Sequence, residues 1–394
     1  MIEVIFSNPV QVLSVLFIVY IIYITSTSYR ERSRIKLLGS FAPLVPNYLA
    51  YGIDVALRAV KASWYHRDLQ YWTWLFQYAP PHSNTIETYV ARQRFIFTAE
   101  PENIKAVLAT QFHDYGKGRD FHHDWQDFLG DSIFTTDGGL WHASRSLIRP
   151  QFIKERVKDL DIFENHVQKV IARLGGQGHK VDVASLFYRF TLDSSTDYLL
   201  GRTVGSLDHP QIEFAEAFNE VQRIQNFVAR VGPLNYFIPR YNFWKGLKKI
   251  NAFVEPFIDA TLRMNMHDLK GISNPTFLQS MAAQGVRDRK VIRDQVVAVL
   301  LAGRDTTAGT LSFLFLEISR HPDILSNLRK EILEKVGRTE RPSYETLKGM
   351  HYLRNTINEV LRLYPSVPFN VCFAFFHPAE APQLMKRAGS NGVT

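Results

Sequence analysis

A long apolar stretch opens near the start of the chain. Val10–Ile24 reads VQVLSVLFIVYIIYI, interrupted only by Gln11 and Ser14. With its flanks this run approaches the lower limit of the roughly 17–25 residues that a membrane-spanning helix needs. Glu3 is the one charged residue before it, and Arg30, Arg32, Arg34 and Lys36 follow. That asymmetry keeps the downstream chain on the cytosolic side. A cleaved leader would want basic residues ahead of the run and a small-residue cleavage site behind it; neither stands out here. The pattern predicts an uncleaved, single-pass anchor over residues 1–29 and a basic linker over 30–50, stiffened by Pro43 and Pro46.

Beyond the linker the apolar spacing is mostly helical. One patch differs: Ile86–Val90 and Gln93–Thr98, rich in β-branched and aromatic residues, predict a hairpin. EPENIKAVLATQF follows, with Pro101 at a first helical position. Residues 154–174 and 181–200 predict helices joined by GGQGHK. Gly175, Gly176 and Gly178 lack the preceding strand and the following lysine or serine of a phosphate cradle, so this loop is a linker. Residues 232–244, GPLNYFIPRYNFW, combine proline with aromatics; contact with a lipid interface and ordinary core packing both remain open for them.

The most informative stretch is DRKVIRDQVVAVLLAGRDTTAGTLSFLFLEISR, from about Asp288 to Arg320. As one helix it extends on the order of 50 Å, and its apolar centre demands burial. In the middle, Gly303 weakens the helix and a threonine can bond back to the preceding turn, so a local bend or opening is expected. Asp305 there is costly unless paired or used. Beside Thr306 it has the makings of a proton relay; a simple ion pair with Arg304 is the equal alternative. A helix starting at Pro322 and ending near Gly337 comes next, then HYLRNTINEVLRLYP, closed by Pro365. Glu359 and Arg362 share a face of that last helix and can pair. Their neighbours Val360, Leu361 and Leu363 predict that the pair is buried.

Composition narrows the chemistry. The chain has 394 residues, 46% hydrophobic and 21% charged, enough for a large core and against disorder. Its 28 Phe, 17 Tyr and 6 Trp can furnish a wide apolar pocket. Cys372 is the only cysteine, which excludes internal disulfides and cysteine zinc sites and fits a reducing compartment. The net charge of +8 suits anionic lipid or an acidic partner, and no basic run interleaved with aromatics offers a nucleic-acid platform. His113, His122, His123 and Asp124 match no established metal spacing and are surface residues on this reading.

In order, the AGRDTT helix, the His321-Pro322-Asp323 start and the Glu359-x-x-Arg362 helix resemble a cytochrome P-450, a haem-thiolate monooxygenase. DGGLWHASRSLIRPQF resembles that family's haem-flanking helix, and TAEPENIKAVLATQF and LDSSTDYLLG also agree. The resemblance covers roughly residues 1–371 and is similar in flavour to the fungal alkane and fatty-acid hydroxylases. It implies a mainly α fold with a small β-sheet behind an N-terminal transmembrane helix, and haem b as cofactor. It also implies a long-chain hydrophobic substrate, electrons from an NADPH-dependent flavoprotein reductase, and a place in the endoplasmic reticulum membrane. By position, Asp305 and Thr306 would guide protons to oxygen, and Ala302 and Gly303 would form the oxygen groove. Trp141 and Arg145 would hold a haem propionate; Glu359 and Arg362 would brace the core.

The pattern departs from the family at Cys372. There an arginine near the haem, further strands and the cysteine loop Phe-x-x-Gly-x-Arg-x-Cys-x-Gly are expected, and the chain runs instead into CFAFFHPAEAPQLMKRAGSNGVT. The expected organisation is therefore a P-450 domain over 51–371, incomplete at its C-terminus, and an aberrant tail over 372–394. Cys372 lacks the glycine-rich loop and sits ten residues past Arg362, so it is read as packing, with the axial cysteine belonging to the missing segment. Three functions stay open on this reading: a monooxygenase, a non-catalytic remnant, and a membrane-tethered lipid-binding protein.

Overall fold

The computed structural model describes residues 9–374 apart from 39–41, 82, 91–92, 153–159, 177, 210–211, 232–234 and 237. The expected tail beyond 374, and parts of 154–174 and 232–244, lie outside the described residues. The chain is mainly helical with a small antiparallel sheet, and its contacts divide it into two compact units, one running to Tyr115 and one spanning Gly116–Phe373.

In the first unit, helix α1 runs unbroken over Pro9–Leu38. Among the described residues no helix is long and apolar enough to cross a membrane. Helices α2 (Ile53–Trp64) and α3 (Asp68–Phe76) then pack on the expected hairpin, β1 (Thr85–Val90) and β2 (Gln93–Thr98). Ile86 pairs with Phe97 across the strands. Val45, Val55, Leu75 and Ile86 form a small core. Gly52 enters α2 at φ 67°, and a Cβ there would come within 1.9 Å of Tyr89 O, so only glycine fits. Glu87 is buried against Arg94 at 2.6 Å. Pro101 opens α4 (Pro101–Lys105), which continues as a π-turn over Ala106–Thr110.

The second unit is a helical bundle. Its helices are α5 (Gly118–Leu129), α6 (Gly138–Ile148), α7 (Asp161–Leu174), α8 (Val183–Leu200), α9 (Glu213–Val231) and α10 (Tyr241–Arg263), followed by α11 (Met266–Gly271) and α12 (Phe277–Ala283). Last come α13 (Arg289–Arg320), α14 (Pro322–Lys335), α15 (Tyr344–Gly349) and α16 (His351–Leu363). The axis is α13, 32 residues long and capped by Asp288, whose carboxylate accepts from Lys290 N at 2.8 Å. Its first half is sheathed by α8, α10 and α12, so that Ile292, Val296, Val297 and Leu300 are fully buried. Two expectations fail here. No turn opens at Gly303; the α-helix is continuous, because Thr306 Oγ1 bonds to Ala302 O at 2.6 Å without displacing the ladder. Burial also does not extend along the whole helix, since Phe313, Phe315 and Leu316 are exposed.

Candidate functional site

Where α13 leaves its sheath, a cavity of about 290 Å³ opens beside it. Asp305, Thr306, Gly309 and Phe313 line one wall, Tyr188 of α8 and Gln222 of α9 a second, and Tyr364, Pro365 and Ser366 a third. The last three follow α16, whose end is pinned to α13. Tyr364 stacks on Phe313 at 4.3 Å and donates to Glu317 at 2.9 Å, while Ser366 Oγ donates to Thr306 O at 3.2 Å. The α16 helix thus brings polar groups to Thr306, a role its sequence had not signalled.

Asp305 is held from two sides. Gln222 Nε2 donates to Oδ2, and Arg304 Nη1 donates to Oδ1 at 3.2 Å. Arg304 is itself buried, donates to Asn219 Oδ1 at 2.6 Å and lies 5.4 Å from the ring centroids of both Tyr188 and Phe218. Its Nε has no partner among the described residues. Burial pushes the Arg304 guanidinium's pKa down, opposed by the Asp305 carboxylate and Tyr188. Burial likewise raises the Tyr188 phenol, and the Asp305 charge adds to it. The Arg304–Asp305 pair anticipated from the sequence is therefore present, and it borders a cavity as well.

Phe218, Asn219 and Gln222 lie on one face of α9, 83 to 86 positions before the groups they hold, and no local motif marks them. Gly303 lies where α13 crosses α8; a Cβ there would approach Ser195 Oγ to 3.0 Å. Ala302 precedes it, half-buried, and accepts the Thr306 hydroxyl.

Trp141 and Arg145 sit together on α6, the guanidinium 5.3 Å from the indole. Arg145 is exposed. Two clamps tie α13 to α6 and to the loop before it. Gln295 Nε2 donates to Ser144 Oγ at 2.9 Å, both residues being buried. Asp294, also buried, accepts Asp131 N at 2.8 Å and pairs with Lys290 at 2.8 Å and Arg293 at 3.1 Å. Gly130 makes room for it at φ 58°, since a Cβ there would come within 1.8 Å of the Asp294 carboxyl carbon. Lys290 and His122 hold the Asp131 carboxyl below the usual range.

Glu359 and Arg362 pair in a bidentate fork at 2.8 and 2.7 Å, as the spacing predicts. They are not buried: 56% and 66% of their side-chain surfaces are exposed. Leu361 and Leu363 are exposed beside them, and Val360 alone turns inward. Adjacency in sequence is not adjacency on a helix surface, and the inward face of α16 is a different one. Cys372 is half-buried beside Lys117. Burial pushes its thiol up, Lys117 opposing and Asp137 reinforcing. The Lys117 ammonium bonds Asn370 Oδ1 and, at 3.1 Å, Val371 O. His122 meets Asp131 at 2.7 Å and His123 meets Gln126 at 3.2 Å, and no group of three potential metal ligands occurs among the described residues.

The cytochrome P450 family profile matches residues 59–374. This chain belongs to the cytochrome P450 family. It is 42% identical to cytochrome P450 monooxygenase pvhE of Talaromyces variabilis, over 93% of this chain and 71% of that one. To cytochrome P450 52A1 of Candida tropicalis it is 39% identical over 79% of this chain and 60% of the relative, and to cytochrome P450 52A4 of Candida maltosa 35% over 93% and 71%. The alignments thus span about 60–70% of the length of these fungal relatives.

Haem b is the cofactor of this P450 family. The residues present fit part of it. An exposed Arg145 backed by Trp141 suits a propionate carboxylate, and the Asp305 carboxylate and Thr306 hydroxyl stand on the wall of the cavity. Cys372 fits an axial thiolate poorly: it does not line the cavity beside Asp305 and Thr306, and burial favours its protonated thiol.

Proposed function

We propose that the P450 core in this chain serves a haem-dependent monooxygenase that hydroxylates long aliphatic molecules, alkanes or fatty acids, with electrons from an NADPH-dependent flavoprotein reductase. The observation that carries it is the Arg304–Asp305–Thr306 segment, a braced acid and a hydroxyl on the wall of a cavity within a P450 helix bundle. When bound, haem supplies oxygen-activating redox chemistry.

The chain's own groups have narrower tasks. Arg145 and Trp141 hold a carboxylate edge. Asp305 exchanges a proton at its carboxylate while Gln222 and Arg304 fix its orientation, and Thr306 lies next to it on the helix. The oxygen groove is assigned to Ala302 and Gly303, small residues on the turn that precedes Thr306. Glu359 and Arg362 brace α16.

The apolar run of α1 serves as the anchor in this proposal. Leu16, Phe17, Ile18 and Ile22 are exposed, which suits a lipid environment, and the expected location is the endoplasmic reticulum membrane with the bundle cytosolic.

The test joins this P450 core to an axial-cysteine loop, reconstitutes it with haem and a reductase, and follows a long-chain substrate under isotopically labelled oxygen by mass analysis. One labelled atom in the product is expected, with turnover reduced by about a hundredfold in Asp305→Asn. Substrate binding with no incorporation by the haem-loaded chain would overturn the proposal in favour of lipid binding alone.

A further inference from the structure

Helix α14 ends at Lys335 and α15 begins at Tyr344. Between them, residues 336–343 read VGRTERPS and form neither helix nor strand. The break has a local cause. Gly337 takes φ 87°, and Pro342 keeps the residue before it out of the helical region. Arg338, Arg341 and Ser343 are all exposed. Ser343 itself stands in extended backbone, at φ −86° and ψ 165°.

Ser343 has one structural duty. As the N-cap of α15, its Oγ accepts from Thr346 N at 3.1 Å and lies 2.9 Å from Thr346 Oγ1. That duty does not account for the cations beside it. Arg338 and Arg341 lie five and two positions before the serine. Neither is fixed to the fold. Among the described residues their one ion pair is Arg341 with Asp161 at 3.9 Å, where 70% and 84% of the side-chain surfaces are exposed. Helix α15 has no buried residue, so releasing its cap leaves the core intact.

We propose that Ser343 is a phosphorylation site for an arginine-directed, ATP-dependent protein kinase. Such an enzyme takes its acceptor segment as an extended strand and selects it by carboxylates that meet nearby guanidinium groups. This segment presents a hydroxyl, extended backbone and two exposed arginines together. Ser33 and Ser63 also follow basic residues, but they lie inside α1 and α2, where the backbone is helical. In the transfer, Ser343 Oγ bonds the γ-phosphorus of ATP as the bond from that phosphorus to the ADP oxygen breaks. The hydroxyl proton passes to the kinase's catalytic carboxylate. The product sets roughly two negative charges beside Arg341, which draws that guanidinium away from Asp161. The inference stands apart from the monooxygenase reading, because no residue of this segment lines the cavity beside α13.

The experiment incubates the full chain with the catalytic subunit of a cyclic-AMP-dependent protein kinase, magnesium and radiolabelled ATP, and locates the label by tandem mass spectrometry. About one phosphate per chain is expected, on Ser343. Ser343→Ala should abolish the label, and Ser343→Thr, which keeps both hydroxyl and cap, should retain it. Replacing Arg338 and Arg341 with glutamine leaves the cap in place and should lower kcat/KM for phosphorylation by about tenfold. Label confined to other residues would overturn the proposal, as would no label at all. Equally fast labelling of the double glutamine variant would overturn it too, since the serine would then be modified for its exposure alone.

Discussion

The two units weight two departures from ordinary architecture differently, although each shows both: Glu87 is buried in the first, and Phe313 and Leu316 are exposed in the second. Before Tyr115, large apolar side chains such as Leu57 and Leu69 stand in solvent around a core of four fully buried residues. From Gly116 to Phe373, the core takes in charge: Asp193, Asp294 and Arg304 are all at most 4% exposed. An exposed apolar stripe is stable in water only at a cost, and a buried charge only if it is paired. The first unit therefore has the surface of something meant to be covered. The second has the interior of something meant to hold charged groups at fixed positions.

The largest test of this contrast is Asp294→Ala. It leaves Arg293 without its buried partner and Asp131 N without its acceptor, and should destabilise the second unit by about 3–5 kcal/mol in urea unfolding. A loss under about 1 kcal/mol would show that the buried charge is incidental. The first unit has a milder counterpart. Burial pushes the Tyr71 phenol up to about 12. A raised acid contributes stability in full below its unfolded pKa, near 10, and loses it as pH rises toward the folded value. Roughly 2–3 kcal/mol should vanish over that alkaline range, tracked by tyrosinate absorbance and lost in Tyr71→Phe.

The acid side is weaker. Lys290 and His122 depress Asp131, so its contribution is present above the unfolded carboxylate value and lost as pH falls through the lower folded one. With 44% of its side chain exposed, solvent screening holds this to under about 1 kcal/mol; the slope below about pH 4 should flatten in Asp131→Asn. Smallest of all, Leu57→Ser should change stability in solution by no more than about 0.5 kcal/mol. A larger loss would mean that Leu57 is structural.

How much the sequence disclosed depended on range. The hairpin was legible because β-branched and aromatic residues cluster in two short runs, and α13 because its apolar run is too long for anything else. The Glu359–Arg362 pair followed from helical spacing, and the Arg304–Asp305 pair from the cost of a buried charge. What escaped lay far apart in the chain. Nothing near Gln222 or Asn219 announces that they grip Asp305 and Arg304. Nothing near Gly130 announces Asp294, 164 positions later. The expected burial of Glu359 failed for a related reason: apolar neighbours in sequence say which residues are close along the chain, not which face another helix covers. At Gly303 local propensity was overridden, since Thr306 bonds back to Ala302 within a helix that stays continuous.

The most direct test of the central claim, that the second unit holds a haem edge through Trp141 and Arg145 and not through Cys372, is a haem titration of three chains. The account predicts saturable binding by the native chain, about tenfold weaker binding by Arg145→Ala, and unchanged affinity for Cys372→Ser. Binding that survives Arg145→Ala but is lost in Cys372→Ser would contradict it, as would no uptake of haem at all.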